Sequence, residues 1–130
     1  MALEFYPNAG DILICDYSTG FRPPEMVKVR PMVVISPRRR GGQLVTVVPI
    51  SSSERPHAEP WHYLLPEGAY PPARGPVWVK ADMLATVALT RLDRVKTRGQ
   101  DGSRMYAVFR LCPEYLRAVC SAVKAALDFA

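Results

Sequence analysis

Apolar residues recur at every second position along most of the chain, and prolines separate the segments in which they do so. The chain contains 13 prolines, and most of them fall between these segments. Period-two alternation is typical of a β-strand with one buried face, whereas proline fixes its own backbone angle and keeps its predecessor out of the helical region. The pattern therefore predicts a β-rich protein whose short strands are joined by proline-containing loops.

Six segments fit this interpretation, and a seventh is ambiguous. Residues 31–36 are continuously apolar, which indicates a strand buried on both faces. The Arg-Gly-Gly sequence at 40–42 predicts a hairpin to the next strand, in which Pro49 should lie at an end, an edge or a bulge because it has no N–H. Residues 106–109 fit either a last strand or the start of a helix. The six predicted strands are residues 11–16, 31–36, 43–50, 61–65, 76–80 and 86–89.

The period changes to that of a helix between Leu111 and Phe129. Pro113 suits the first helical position, and Glu114 falls in the first turn, where the helix dipole favours an acid. The residues predicted to face the sheet are Leu116, Val119, Cys120, Val123 and Leu127. We interpret Cys120 and Cys15 as small core residues and not as nucleophiles.

These elements predict a mainly β fold with one C-terminal helix. Short strands at regular spacing favour either a small, strongly bent antiparallel barrel or a compact sheet with a helix at its end. A chain of 130 residues has no room for two independent cores. We therefore expect one domain over residues 1–130.

The charge is positive and unevenly distributed. There are 17 Lys and Arg against 12 Asp and Glu, a net charge of +5, and much of the excess lies in residues 22–40 and 91–110. A charge of this size favours an anionic partner but also occurs in proteins that bind none. For Arg38-Arg39-Arg40, a solvated hairpin loop is the better interpretation than direct ligand contact.

Several classes of protein are excluded by what the sequence lacks. Three cysteines without metal-ligand spacing argue against a disulfide framework or a zinc ribbon and favour the reducing cytoplasm. Two histidines cannot build a multi-histidine metal site, and no phosphate-binding glycine loop or nucleophile elbow occurs. No apolar run approaches the ~20 residues of a membrane span, and the N-terminus does not read as a signal peptide.

Polar residues at strand ends are the remaining candidates for chemistry. Arg30, just before an apolar strand, could direct its planar guanidinium at a phosphate or form a structural ion pair. The hydroxyls of Ser51, Ser52 and Ser53 after a strand could bind an anion, although alone they indicate a turn.

Two further candidates follow later in the chain. Alternation puts Lys80 and Asp82 on the same side of the strand, within reach of each other, as either an acid/base couple or a surface salt bridge. His62, between Trp61 and Tyr63, is more typical of a structural histidine than of a ligand.

Five short motifs in a fixed order resemble the MazF/PemK family of toxins from bacterial type II toxin–antitoxin systems. The motifs are residues 10–12 (Gly-Asp-Ile), 29–35 (Val-Arg-Pro-Met-Val-Val-Ile), 47–52 (Val-Val-Pro-Ile-Ser-Ser), 79–83 (Val-Lys-Ala-Asp-Met) and 91–95 (Arg-Leu-Asp-Arg-Val). The resemblance runs from about Gly10 to the C-terminal helix. It implies an SH3-like barrel, a homodimer, and an endoribonuclease that cuts single-stranded RNA without a metal ion or other cofactor. It also implies inhibition by a cognate acidic antitoxin.

The family's reaction, attack of a 2′-hydroxyl to leave a 2′,3′-cyclic phosphate and a 5′-hydroxyl, implies roles for residues of this chain. Asp82 would be the base, Arg30 the phosphate clamp, Lys80 a charge stabiliser or proton donor, and Ser51 a further catalytic position. The resemblance and the basic clusters together give the expected RNA contacts, which are Arg22, Lys28, Ser52, His62 and Trp78. Aromatic rings such as Trp78, Tyr63 and Phe21 can stack on unpaired bases.

The chain departs from the family pattern at three points. Lys80 and Ala85 stand where some members carry arginine, and the loop before Arg30 lacks a histidine found in some members. Two other functions remain open. One is a non-catalytic binding module, or a toxin on the same barrel that acts on a protein such as DNA gyrase. The other is an RNA- or DNA-binding domain without enzymatic activity, whose binding should weaken steeply with salt.

Overall fold

The computed structural model describes Leu3 and residues 5–39, 41–52 and 59–128. Ten strands precede a single helix in this part of the chain. Two 3-10 turns, Ala81–Met83 and Leu89–Arg91, interrupt the strand order. The elements are β1 Asp11–Asp16, β2 Val29–Val34, β3 Leu44–Ser51, β4 His62–Leu64, β5 Trp78–Lys80, β6 Ala85–Ala88, β7 Leu92–Asp93, β8 Val95–Arg98, β9 Arg104–Ala107, β10 Phe109–Arg110 and α1 Pro113–Leu127.

Eight strands form one antiparallel sheet in the order β10-β1-β2-β3-β5-β4. β6 also pairs with β3, and β7 also pairs with β1. Among the described strands this path ends at β10 and β4 and does not close, so the fold is of the expected mainly β class with the expected C-terminal helix, but its sheet is open and branched and not the closed SH3-like barrel that the resemblance implied. The predicted hairpin between β2 and β3 is present. The apolar pattern did not predict β8, which pairs with β9 in a separate hairpin, whereas the ambiguous segment 106–109 falls on the end of β9 and the start of β10 and is not helical.

Pro49 lies inside β3, opposite Met32 of β2. β3 pairs with β6 over residues 44–47 and with β5 over residues 50–51. Pro49 therefore occupies the junction at which β3 changes partner. A missing N–H is tolerated at this junction because the ladder is already interrupted there.

The central strands are buried on both faces, as the continuous apolar run at 31–36 predicts. Val33 packs into one core and its neighbours Met32 and Val34 into another, and all three are fully buried. The first core also contains Ile12, Val48, Ile50 and Val79, and the second contains Leu13, Cys15, Tyr17, Val45 and Leu92. This two-sided burial explains why alternation is lost in β2.

α1 covers the first core, and it begins at Pro113 as predicted. Its buried residues are Val119 and Ala122, whereas Cys120 is half-buried and Leu127 is exposed. The predicted contact face was therefore rotated by a fraction of a turn, and the core interpretation holds for Cys15 better than for Cys120. No helix in the described residues is both long and apolar enough to cross a membrane.

Gly10 forms the turn immediately before β1. Its φ of +94° is a backbone conformation that other residues rarely adopt. A side chain there would also approach Leu116 of α1 and the carbonyl of Leu111, at 3.4 and 3.5 Å from its Cβ. The glycine of the Gly-Asp-Ile motif is thus required by the conformation of the turn, whereas contacts at these distances are ordinary van der Waals contacts.

Candidate active site

Four of the predicted residues lie on one face of the sheet, across β3, β5 and β4. In antiparallel strands, opposed residues and residues two apart share a face. Ser51 is opposed to Trp78, and Lys80 is opposed to His62. Because Trp78 and Lys80 are two apart in β5, the side chains of Ser51, Trp78, Lys80 and His62 point to the same side.

Arg30 of β2 extends this row to a fourth strand. Arg30 is two residues from Met32, which is opposed to Pro49, and Pro49 is two residues from Ser51. On its other side, Arg30 is opposed to Cys15 of β1. The register therefore brings Arg30 onto the face that carries Ser51, Trp78, Lys80 and His62.

The Nε atom of Arg30 is buried and has no hydrogen-bond partner among the described residues. A buried guanidinium N–H without an acceptor is unfavourable, since its desolvation is not offset by a hydrogen bond. No structural ion pair of Arg30 is present within the described part of the chain, which was the alternative interpretation of this residue. The arrangement suits an anionic ligand that would supply the acceptor.

Asp82 follows β5 in the 3-10 turn Ala81–Met83, where the chain leaves the strand. Strand alternation therefore does not relate Asp82 to Lys80, contrary to the reasoning from sequence. Both residues nevertheless line one open cleft of about 580 Å³. They do not form an ion pair with each other within the described structure, so the surface salt-bridge interpretation is wrong.

The opposite wall of this cleft is the loop between β1 and β2. The lining residues from this loop are Tyr17, Phe21, Pro24, Glu25 and Met26. The turn at its tip is closed by hydrogen bonds from Arg22 N to Glu25 Oε1 at 2.7 Å and from Glu25 N to Arg22 O at 2.8 Å. Arg22 and Lys28 are exposed on the same loop, and neither lines the cleft itself.

Arg91, the first residue of the 91–95 motif, holds this loop in place, a role that the sequence analysis did not assign to it. Its Nη1 donates to the carbonyls of Asp16 and Thr19 at 3.0 and 2.8 Å, and its guanidinium lies 4.9 Å from the ring centroid of Phe21. Phe21 in turn meets Tyr17 edge to face at 5.2 Å. The basic cluster at 91–110 gave no specific role to this arginine, and the structure shows that it fastens one wall of the cleft.

The floor beneath the cleft is apolar and uncharged. Burial raises the pKa of the Cys15 thiol to about 11 and also raises the pKa of the adjacent Tyr17 hydroxyl. Both groups are therefore neutral at physiological pH. This agrees with the interpretation of Cys15 as a core residue and excludes it as a thiolate nucleophile.

The remaining candidates occupy less central positions. Ser51 is buried, whereas Ser52 is exposed and follows the end of β3. His62 is half-buried with its ring edge to face against Trp61 at 6.1 Å. Ser53, His57 and Arg40 lie outside the described residues. Arg38 and Arg39 are exposed in the β2–β3 loop, as the solvated-loop interpretation predicts.

The described residues contain no group of three His, Cys, Asp or Glu side chains close enough to hold a metal ion. The predicted residues on the sheet face and in the cleft are instead two cations, a carboxylate, a hydroxyl, an imidazole and an indole, and Glu25 adds a second carboxylate to the cleft. This set can bind a phosphate, move a proton and stack on a planar ring.

Comparison with known proteins identifies similar chains. The chain matches the family model described as PemK-like, MazF-like toxin of type II toxin-antitoxin system over residues 8–127. An uncharacterized protein of Haemophilus influenzae is 32% identical over 108 residues, which cover 72% of this chain and 73% of that protein.

Two solved structures show the same fold. MazF from Deinococcus radiodurans is similar with a TM-score of 0.70 at 18% identity, over 97% of this chain and 100% of that chain. An endoribonuclease in complex with its cognate antitoxin from Mycobacterial species is similar with a TM-score of 0.63 at 20% identity, over 95% of this chain and 97% of that chain.

Proposed function

Because the chain belongs to the PemK-like, MazF-like family of toxins of type II toxin–antitoxin systems, we propose that it is an endoribonuclease that cleaves single-stranded RNA without a metal ion. The observation that carries the proposal is the shared sheet face of Arg30, Ser51, Trp78, Lys80 and His62, bordered by the cleft of Lys80 and Asp82. The solved structures of this fold include named endoribonucleases, which supports the same class of activity here.

The proposed reaction uses the RNA's own 2′-hydroxyl as the nucleophile. Asp82 takes the 2′-hydroxyl proton, the 2′-oxygen attacks the adjacent phosphorus, and the bond from phosphorus to the 5′-oxygen breaks. Lys80 gives a proton to the departing 5′-oxygen. The products are a 2′,3′-cyclic phosphate and a 5′-hydroxyl, and the proton count balances without a metal or other co-reactant.

Arg30 is the proposed clamp on the phosphate during this reaction. Negative charge builds on the non-bridging oxygens as the fifth bond to phosphorus forms, and fixed donors directed at those oxygens stabilise it. The buried Nε of Arg30, which has no acceptor among the described residues, supports this role because a phosphate oxygen would satisfy it.

The aromatic side chains beside these groups suit an unpaired base. Trp78 shares the face of Lys80, and Phe21 lines the facing wall of the cleft. A base flipped out of a single strand can stack on either ring, whereas a paired base in a duplex has no free face to offer. The arrangement therefore favours single-stranded RNA over double-stranded RNA.

The decisive experiment incubates the purified protein with long single-stranded RNA in excess EDTA and maps the termini of the fragments. We expect cleavage that leaves cyclic phosphate and 5′-hydroxyl ends, and no cleavage where the scissile nucleotide carries a 2′-deoxy sugar. Asp82→Asn and Arg30→Ala should each lose at least about 100-fold in rate. Glu67→Gln, which removes an exposed carboxylate from the β4–β5 loop, is the matched control and should keep full activity.

Two outcomes would contradict the proposal. RNA left intact at stoichiometric, folded protein would favour the non-catalytic binding module on the same fold. Full activity of both Asp82→Asn and Arg30→Ala would leave the activity standing and remove the assignment of these residues.

We further propose a cognate antitoxin as the protein partner. The similar mycobacterial endoribonuclease was solved in complex with its own antitoxin, and the cations of the shared face would attract an acidic segment. A small acidic protein encoded beside this chain would support this partner, and its coexpression with the chain should yield a complex that does not cut RNA. Light scattering would test the proposed homodimer. Recovery of this chain without the acidic protein bound would contradict the proposal that an antitoxin is its partner.

A further inference from the structure

The hairpin of β8 and β9 carries a row of cations on one face. Its opposed pairs are Lys96 with Tyr106 and Arg98 with Arg104. Since opposed residues share a face, these four side chains point to the same side, and all four are exposed. Arg94, two residues before Lys96, continues the row.

The pair of Arg98 and Arg104 is unusual because two like charges directly opposed on neighbouring strands repel each other. The acid of the hairpin, Asp101, lies in the turn, and its carboxylate accepts hydrogen bonds from Ser103 N and Oγ at 2.9 and 2.5 Å. Neither arginine has an ion-pair partner within the described residues. The fold thus tolerates an unfavourable arrangement that an anionic ligand would relieve.

An aromatic ring is part of the same row. The guanidinium of Arg94 lies 5.0 Å from the ring centroid of Tyr106, and 42% of Tyr106 remains exposed. Alternating cations and exposed aromatic rings are the arrangement with which proteins follow a single-stranded polynucleotide, because the cations meet phosphates and the rings meet bases.

The row borders a groove that is separate from the active-site cleft. A cleft of about 590 Å³ is lined by Arg74, Lys96, Arg98 and Arg104, together with Phe109 and neighbouring loop residues, and no acidic residue lines it in the described structure. Lys96 and Pro72 also line a second cleft, of about 460 Å³, which reaches Asp16 and Val29. Asp16 ends β1 and Val29 begins β2, so the second cleft reaches the base of the β1–β2 loop on the sheet face opposite Arg30, where Asp16 and Asp93 are among its lining residues.

We infer that this groove, lined by Arg74, Lys96, Arg98 and Arg104, binds a part of a single-stranded RNA substrate distant from the cleaved phosphate. The inference rests on the proposed function, since it extends the RNA path beyond the catalytic cleft. The groove and the hairpin row beside it provide five cations (Arg74, Arg94, Lys96, Arg98 and Arg104) and two aromatic rings (Tyr106 and Phe109) outside the nine residues assigned from sequence. This surface determines how long a segment of RNA is bound, and it takes no part in the cleavage reaction.

RNA is favoured over an acidic peptide by the exposed ring of Tyr106 and by the spacing of the cations. The cations at 94, 96 and 98 repeat at every second residue along a strand, which suits the regular charges of a phosphate backbone. Stacking on Tyr106 suits the flat face of a base. An acidic peptide would use the charge but not the ring.

The test measures binding of fluorescent, fully 2′-O-methylated single strands of 6 and 24 nucleotides by anisotropy at several salt concentrations. These strands cannot be cleaved through a 2′-hydroxyl, so binding is read independently of catalysis. For R98Q/R104Q we expect affinity for the 24-mer to fall about tenfold at low salt, and the ratio of 24-mer to 6-mer affinity to fall with it. The slope of log Kd against log salt should decrease by about 1.4, which is two phosphate contacts at about 0.7 each.

Two further variants make the result specific. R117Q/K124Q removes two exposed cations from α1 and should change neither affinity by more than about twofold. R74Q removes a groove cation from a different segment, the β4–β5 loop, and should also weaken the 24-mer selectively. If R98Q/R104Q does not fold, R74Q still tests whether the groove binds the 24-mer.

The inference is overturned if the ratio of 24-mer to 6-mer affinity is unchanged in both R98Q/R104Q and R74Q. It is also overturned if these variants lose affinity for a Glu-rich 20-residue peptide more than for the 24-mer, since the groove would then belong to a protein partner. Selective loss of 24-mer binding by a chain that cuts no RNA would contradict the proposed function and leave the RNA path standing.

Discussion

Arg110 and Asp11 are opposed on β10 and β1, and Arg110 Nε donates to Asp11 Oδ1 at 2.8 Å. Asp11 is 1% exposed, and its second oxygen accepts from the backbone N–H of Asn8 at 2.9 Å. The next residue, Leu111, donates its N–H to the carbonyl of Gly10 at 2.9 Å. This contact joins the first strand to the last one across 99 positions and so sets where α1 begins.

The first prediction concerns this pair. Asp11→Ala should lower the free energy of unfolding by about 2 kcal/mol, because it leaves the Asn8 N–H without its acceptor and the arginine without its partner. Arg110→Ala should cost about 1 kcal/mol, because much of the arginine is solvated. Urea denaturation measures both, and equal stability of Asp11→Ala and the wild type would contradict the structural role of this carboxylate.

The second prediction concerns the lysine at position 80. If Lys80 stabilises charge on the cleaved phosphate, Lys80→Arg keeps the charge and should retain cleavage within about tenfold, whereas Lys80→Gln should lose about 100-fold or more. Single-turnover cleavage of a defined RNA measures the difference. If Lys80→Gln matched the wild type while Lys80→Arg did not, size and not charge would matter at this position.

The third prediction concerns Arg91 as a positioning residue. Arg91→Ala removes the hydrogen bonds to the carbonyls of Asp16 and Thr19 and the contact with Phe21. We expect the free energy of unfolding to fall by about 1–2 kcal/mol and KM for RNA to rise about tenfold, with a smaller change in kcat. Arg91→Lys should recover part of both effects.

The control for this prediction is Arg117→Ala, which removes an exposed cation from α1. It should leave stability and KM close to those of the wild type. A rise in KM of the same size in both variants would mean that general charge, and not the loop, accounts for the effect.

The fourth prediction is a pH dependence. The pKa of Cys15 is 9.0 in the unfolded reference and about 11 when buried in the fold, so the folded state prefers the protonated thiol. Its stabilising contribution is complete below about pH 9 and should be lost as the pH rises towards about 11. Urea midpoints between pH 8 and 11 should fall less steeply for Cys15→Ala than for the wild type.

Thiol reactivity checks the same burial independently. At pH 8 the native protein should leave Cys15 unmodified by a thiolate-specific reagent, whereas the exposed Cys112 should react. Rapid modification of Cys15 in the folded protein would contradict its burial beneath the cleft.

Sequence reasoning located the strands β1 to β6 and the helix well, because alternation and helical period are local properties. The register could not be read from these patterns. That Ser51 faces Trp78, and that Lys80 faces His62, depends on how separate strands pair. The pairing of β8 with β9 was missed because its exposed residues, Lys96, Arg98, Arg104 and Tyr106, give no apolar alternation. The positive charge of the lysine and the two arginines was nevertheless evident.

Asp82 illustrates the limit of a local rule. Alternation related it to Lys80 as if the strand continued, but the chain turns into a 3-10 helix at Ala81, whose side chain is fully buried. The two residues are near each other because they are only two apart in the chain, and both line one cleft. Tertiary structure decided instead that the β1–β2 loop supplies the other lining residues of that cleft.

The sequence by itself determined that this chain forms short strands closed by one helix, that its central strand is buried on both faces, and to which toxin family it belongs. These follow from the period of its apolar residues and from short motifs, which neighbouring residues encode. Only the tertiary structure decided that Arg30, Ser51 and Lys80 share a face, that Arg91 fastens a loop, and that the hairpin's cations line a groove. These depend on contacts between residues far apart in the chain, whose pairing no local pattern specifies.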